Sequence, residues 1–380
     1  MNTANLQLEG MVMAVAALCQ ALAEKQLLSH EAIDAALAQA KDAVEGDDSH
    51  RLSEANQNAI LFPIHLLRLA NQAHERGETL HLCRLCSTDR QADVMFDGFT
   101  LDFVQTQYGS IRVRHGGSGD TVLLLLHGHP RTHMTWGGVA DLLAPSVRLV
   151  CPDLPGFGRS YLPADAPDSR FSSKKAKAEA LVDMMNRLGH ERFVVAGHDR
   201  GSLTAFRMAL DHPDAVSKLI IIDGLPVLEH LERADWCFAR DWYHWFFFAQ
   251  PDKPERAINA DPLAWYDQVV PDRMGPAAYQ DLVAALCDPA VVHGMIEDYR
   301  AGLRIDHVHE RQDRDSSRLV EAPTLCLWSL RDDLEQIYGN PVAIWRRWAR
   351  HVHGFGIDSG HHVAEENPAA LARAIADFIA

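Results

Sequence analysis

Gly197-His198-Asp199-Arg200-Gly201 is the segment with the clearest chemical content. An apolar run, residues 193–196, leads into it and a helix-forming stretch, 202–210, follows. Asp199 is therefore expected on a sharp strand-to-helix turn that presents a nucleophile. Such turns usually carry a serine, which forms an ester with an acyl group. A carboxylate in that place attacks a saturated carbon bearing a leaving group, and the ester forms on the protein's own side chain. The expected chemistry shifts to displacement at an alkyl carbon, as in dehalogenation or epoxide opening.

The partners follow in chain order. His361, within Ser359-Gly360-His361-His362, comes after the last strand-like run and before the last helix, which suits a general base. His362 is read as its neighbour. An orienting acid has two candidate places: Asp223, at the end of the run 219–222, or Asp332 and Asp333, after the run 324–328. Spacing does not choose between them. His127-Gly128-His129-Pro130 closes another apolar run. The backbone N–H groups of His129 and Arg200 are expected to form an oxyanion hole, stabilising the anion made when water attacks the Asp199 ester. The glycine-rich loop 153–160 lacks both a G-x-G-x-x-G spacing and a Lys-Ser/Thr ending, and is read as a structural turn. Cys83-x-x-Cys86, near His81, has no second pair, so no metal site is assigned.

These residues need a scaffold. Strand-like runs at 110–115, 121–126, 147–151, 193–196, 219–222, 324–328 and 354–357 alternate with helical patterns at 174–188, 202–210, 341–349 and 368–379. That alternation predicts a doubly wound, mostly parallel α/β sheet. Residues 96–225 and 319–380 form this core. The interval 226–318 is aromatic-rich and helix-forming, and reads as a cap inserted over the sheet's carboxyl edge. Residues 1–95 read as a helical extension, with stretches at 6–25, 29–44 and 52–76. Ser29 is placed to cap the second of these, with Glu31 in its first turn.

The formal charge of −16 argues against nucleic-acid or anionic-membrane partners. A small-molecule substrate is expected, and a homodimer is compatible with the chain. Seven unpatterned cysteines fit reduced thiols in a cytoplasm. No run reaches the ~18 apolar residues of a membrane span, and residues 11–22 lack the basic lead and cleavage site of a signal peptide.

Residues 96–380 resemble the fluoroacetate (haloacetate) dehalogenases of the α/β-hydrolase superfamily. The resemblance rests on His127-Gly128-x-Pro130-x-Thr132-His133, the Asp199 pentapeptide, Ala209-Leu210-Asp211-x-Pro213 and Ser359-Gly360-His361. More specific are Tyr243-His244-Trp245, Ala249-Gln250-Pro251 and Glu297-Asp298-Tyr299-Arg300-Ala301-Gly302 in the cap. The resemblance implies an α/β-hydrolase fold and hydrolytic dehalogenation of small 2-haloacids without metal or organic cofactor. It further implies Asp199 as nucleophile, His361 as base, Asp223 as acid, and His244, Trp245 and Tyr299 as holders of the leaving halide. The family also has a second arginine three residues after Arg200, and the pair clamps the substrate carboxylate; here that residue is Leu203. Either Arg131 supplies the missing cation, or Leu203 suits a bulkier or less charged substrate. Two other readings are an epoxide hydrolase, against which Arg200 speaks, and a non-catalytic ligand-binding protein, against which the Asp–His–acid set speaks.

Overall fold

The structure, a computed structural model, describes residues 95–266 and 271–380, and from the N-terminal region 18–25, 27–45 and positions 15, 64, 67, 68 and 71. Most of the expected helices over 6–25 and 52–76, together with His81, Cys83 and Cys86, lie outside the described residues. The chain divides into two compact units, Met1–Thr88 and Asp89–Ala380. In the first, a helix spans His30–Glu45, and the Ser29 hydroxyl accepts the Ala32 N–H at 3.1 Å, as the capping pattern predicts.

The second unit is built on an eight-stranded sheet in the order β1-β2-β4-β3-β5-β6-β7-β8. The strands are β1 (Thr100–Gln105), β2 (Ser110–Gly117), β3 (Val122–Leu126), β4 (Arg148–Pro152), β5 (Phe193–His198), β6 (Val216–Ile222), β7 (Thr324–Ser329) and β8 (Val352–Ile357). β1 and β2 run antiparallel to their neighbours; the others pair in parallel. β3, β5 and β7 are buried almost throughout, which their unbroken apolar runs require. β1 was not expected: only Val104 of Thr-Leu-Asp-Phe-Val-Gln is buried, so this edge strand has no apolar face to betray it.

From β3 the chain steps to β4 on one side and then crosses to β5 on the other. Loops leaving the carboxyl ends of β3 and β5 therefore diverge over a crevice, where open α/β sheets bind ligands. Helices Lys174–Arg187, Arg200–Asp211 and Pro368–Ile379 lie close to the expected spans. The helix expected over 341–349 stops at Trp345. Beyond it the chain turns so that two indoles find buried partners: Trp345 Nε1 donates to the Gly224 carbonyl at 3.0 Å, and Trp348 Nε1 to Glu229 at 2.7 Å. Between β6 and β7 the described chain is helical, from Val227–Arg233 to His307–Asp315, with a π-helical turn at Gly302–Asp306.

Candidate active site

Asp199 sits between β5 and the helix Arg200–Asp211 with φ 49° and ψ −118°. Such a conformation costs an L-residue on the order of 1–3 kcal/mol and persists only where its surroundings impose it. They do so tightly. The Asp199 N–H donates to the Ile222 carbonyl at 3.0 Å, and the Ser202 hydroxyl donates to the Asp199 carbonyl at 2.6 Å. A Cβ at Gly197 would strike the Gly201 backbone, and one at Gly201 the β3 terminus, so both flanking glycines are needed for the close approach. The carboxylate is half-buried. One oxygen accepts the His129 N–H at 2.7 Å, which is the oxyanion donor expected from that loop. The Arg200 amide makes no hydrogen bond to Asp199 among the described residues. Burial alone would raise the Asp199 carboxyl, but the nearby His361, His198 and Arg200 and the His129 N–H outweigh it and hold it below the ordinary value.

His361 lies on the loop between β8 and the helix Val363–Glu366. His198 Nε2 donates to its carbonyl at 2.7 Å, and Glu366 accepts the Gly360 N–H at 2.7 Å. Both candidate acids reach it. Its Nδ1 is 2.8 Å from Asp223 and 2.8 Å from Asp332. Asp333 is elsewhere engaged, accepting the Trp242 indole N–H at 2.7 Å. Asp223 follows β6 at φ 52° and also accepts the Ser329 N–H at 3.2 Å. The choice posed by spacing is thus answered by a pair. Burial raises the Asp223 carboxyl, whereas Asp332, closer to solvent, is held down to about 2 by the imidazole against its own partial burial. Burial works to lower His361, but the two carboxylates override it and push the imidazole well above its ordinary 6.5.

A cavity of about 240 Å³ joins Asp199 and His361 to the cap. His244, Trp245 and Tyr299 all line it, so the structure gathers the three residues expected at a halide. Their side-chain donors carry no hydrogen bond among the described residues. Burial keeps His244 neutral, down at about 4, and lifts the Tyr299 phenol well above 10, so an imidazole N–H, an indole N–H and a phenol O–H remain available at neutral pH. Asp241, Trp242, Asp332, Asp333 and His362 complete the outer lining. Burial likewise keeps His362 neutral. A larger groove of about 640 Å³ around Tyr161, Phe171 and Ile305 holds none of the expected site residues.

Arg131 and Arg200, expected at a substrate carboxylate, are both engaged within the protein. Neither lines the cavity. Arg131 is bound to Glu365 through Nε at 2.8 Å and Nη2 at 3.1 Å, and Thr135 joins the same carboxylate at 2.7 Å. It therefore ties the β3 loop to the segment following His361. Arg200 gives Nε to the Asp298 carboxylate at 2.6 Å and Nη2 to the Asp298 carbonyl at 2.9 Å. Its guanidinium carbon lies 4.1 Å from the Tyr299 ring centroid and 5.0 Å from that of Trp245, the two rings that face the cavity. Asp298, absent from the expected site, also receives Lys174 at 2.8 Å and Lys177 at 2.5 Å. A trace was present in the sequence: two lysines three apart on one helix face, and an aspartate beside Tyr299.

The sheet order, the elbow and the His–acid loop define an α/β hydrolase. Residues 121–268 match the family described as alpha/beta hydrolase fold. The chain is 36% identical, over 75% of its length and 95% of the relative's, to a fluoroacetate dehalogenase from Burkholderia sp.. A soluble epoxide hydrolase from Corynebacterium sp. is 26% identical over 72% of this chain and 91% of its own. Among solved structures, an alpha/beta hydrolase from Nostoc superposes with a TM-score of 0.72 and 37% identity, covering 75% of this chain and 99% of that one. The chain belongs to the fluoroacetate dehalogenase-like family of α/β hydrolases.

Proposed function

We propose that the protein is a hydrolytic dehalogenase working through a covalent ester on Asp199. The observation that carries this reading is one half-buried carboxylate, held by the His129 N–H at 2.7 Å, in a cavity with three unengaged neutral donors. The free Asp199 oxygen attacks the carbon bearing the halogen, and the halide departs with the bonding pair toward His244, Trp245 and Tyr299. A departing halide needs such donors in a site that excludes water. His361, oriented through Nδ1, then takes a proton from water, which adds to the ester carbonyl while His129 N–H steadies the oxygen. The alcohol leaves and Asp199 is restored. Each step falls to a side chain, so the reading calls for no metal or organic cofactor. The Burkholderia relative supports a substrate with the halogen next to a carbonyl carbon, as in the small 2-haloacids.

Epoxide opening would need a cap acid on the epoxide oxygen. Tyr299 lines the cavity, but the Tyr266 hydroxyl is spent on His129 at 3.1 Å and Tyr243 is exposed. The dehalogenase reading is tested by halide release and by a single turnover in ¹⁸O-water with enzyme in excess. The first product should carry no heavy oxygen, because its new oxygen comes from Asp199. Heavy oxygen in that first product would exclude the aspartyl ester.

A further inference from the structure

We propose that His198, His361 and His362 form a chelating site for a late transition-metal dication such as zinc. One ring nitrogen of each lies within 4.8 Å of the other two. The rings pack together: the His361 centroid is 4.8 Å from that of His198 and 5.1 Å from that of His362, and those two are 6.0 Å apart. Zinc holds imidazole nitrogens at about 2.0–2.1 Å, so tetrahedral ligands stand about 3.3 Å from one another. The widest separation here has to close by about 1.5 Å at most, a movement that turning imidazole rings can supply.

The hydrogen bonds around the trio are those that a metal-bound histidine needs. Such a ring ordinarily gives its other N–H to a carbonyl or carboxylate, which fixes the tautomer and aims the lone pair. His198 gives Nε2–H to the His361 carbonyl at 2.7 Å, which leaves Nδ1 with the lone pair. His361 turns Nδ1 to Asp223 and Asp332, each at 2.8 Å, which leaves Nε2. The His362 ring makes no hydrogen bond among the described residues, and its Nδ1 is buried without a partner. His361 and His362 line the cavity, which gives an ion its way in, and a formal charge of −16 draws cations toward the chain. Imidazole suits zinc, nickel and copper, whereas magnesium and calcium favour oxygen. An ion bound here sends any proton on His361 Nε2 to solvent and occupies the lone pair that would take one from water. It silences the base reversibly. The ligand set stands whatever the reaction; its effect on turnover rests on the role proposed for His361.

The first measurement needs no turnover. Zinc bound per chain is read by equilibrium dialysis at fixed free zinc, with thiols blocked by N-ethylmaleimide. The wild type should hold one more zinc than His362→Gln, whose circular dichroism spectrum should be unchanged. Equal zinc in the two proteins would overturn the proposal. The second measurement follows halide release from chloroacetate. Zinc should inhibit the wild type, EDTA should restore it, and magnesium at the same concentration should have no effect. Relative to its own zinc-free rate, His362→Gln should need at least about 10-fold more zinc for half-inhibition, since losing a ligand's hydrogen-bond partner alone costs that much. Magnesium inhibiting as well as zinc would place the ion on the Asp223 and Asp332 carboxylates and overturn the imidazole site. So would zinc inhibition unchanged in His362→Gln. The extra zinc found by dialysis, with no halide released by any form, would overturn the dehalogenase reading and leave the metal site standing.

Discussion

On one side of the cavity a single base is gripped by two acids, His361 by Asp223 and Asp332; behind the aromatic wall a single acid, Asp298, is gripped by three bases, Lys174, Lys177 and Arg200. The two clusters are near mirror images in charge, and they differ in access. His361 and Asp332 line the cavity, so their charges face whatever enters it. Asp298 and its partners are sealed, and their effect reaches the cavity through Tyr299, its chain neighbour, and through the rings laid on Arg200. On the proposed reading, the first arrangement moves protons. The second holds a wall of neutral donors in place. A buried ion cluster is weak grounds for stability, because desolvation offsets attraction, but removing one member leaves charges that nothing compensates.

The largest effect should come from the group that both clusters serve. Asp199→Ala should reduce halide release by about 10⁴-fold or more, in the range seen when a covalent nucleophile is removed, with an unchanged circular dichroism spectrum. Appreciable residual turnover would mean that the chemistry runs through another group. Asp298→Asn comes next and addresses the sealed side. It strands Lys177 and Arg200 and leaves Lys174 only Asp306 at 3.7 Å, and should destabilise the protein by about 3–5 kcal/mol in urea unfolding, the range for breaking a buried ion pair. A loss below about 1 kcal/mol would show that Asp298 does not anchor the wall.

These two variants also mark what the sequence made readable. Asp199 was legible because its turn imposes a local pattern: an apolar strand, two glycines forced by backbone approach, then a helix. The seven predicted strands are all present, and the inner parallel ones, β3, β5, β6 and β7, are written in largely contiguous apolar residues. Asp298 was not legible, since its partners Lys174 and Lys177 stand more than a hundred residues earlier and lysine is read by default as surface. The Arg131–Glu365 pair was hidden for the same reason: the two stand 234 positions apart. The two acids at His361 were both visible as candidates. Spacing could not show that the carboxyl ends of adjacent strands β6 and β7 bring them to the same nitrogen.

That pair can be pulled apart. Where one acid orients a catalytic histidine, its amide variant costs on the order of 10⁴-fold. Here Asp223→Asn leaves Asp332 on the same nitrogen, so a loss of about 10²-fold is expected, and only the double variant with Asp332→Asn should approach the full loss. A single Asp223→Asn as damaging as the double would show that Asp332 gives no orientation, and would reduce the grip on His361 to one acid.

The smallest change in rate carries the most information about charge. In the proposed mechanism His361 acts as a base only when neutral, and its two carboxylates favour the imidazolium, placing its pKa well above 6.5. Turnover should therefore rise with pH through a limb lying above 6.5, the opposite of what burial alone would produce. Asp332→Asn removes one carboxylate and leaves Asp223 to hold the ring. The imidazolium loses part of its support, its pKa falls, and the acid limb moves to lower pH. Plateau turnover should drop only about 3-fold, as for other modest changes around an intact catalytic group. The two pH profiles can then cross on the acid side, where the variant keeps more of its base neutral. A limb that stays in place would assign the raised imidazole to Asp223 alone; a limb that moves down makes Asp332 the group that sets when the ester can be hydrolysed.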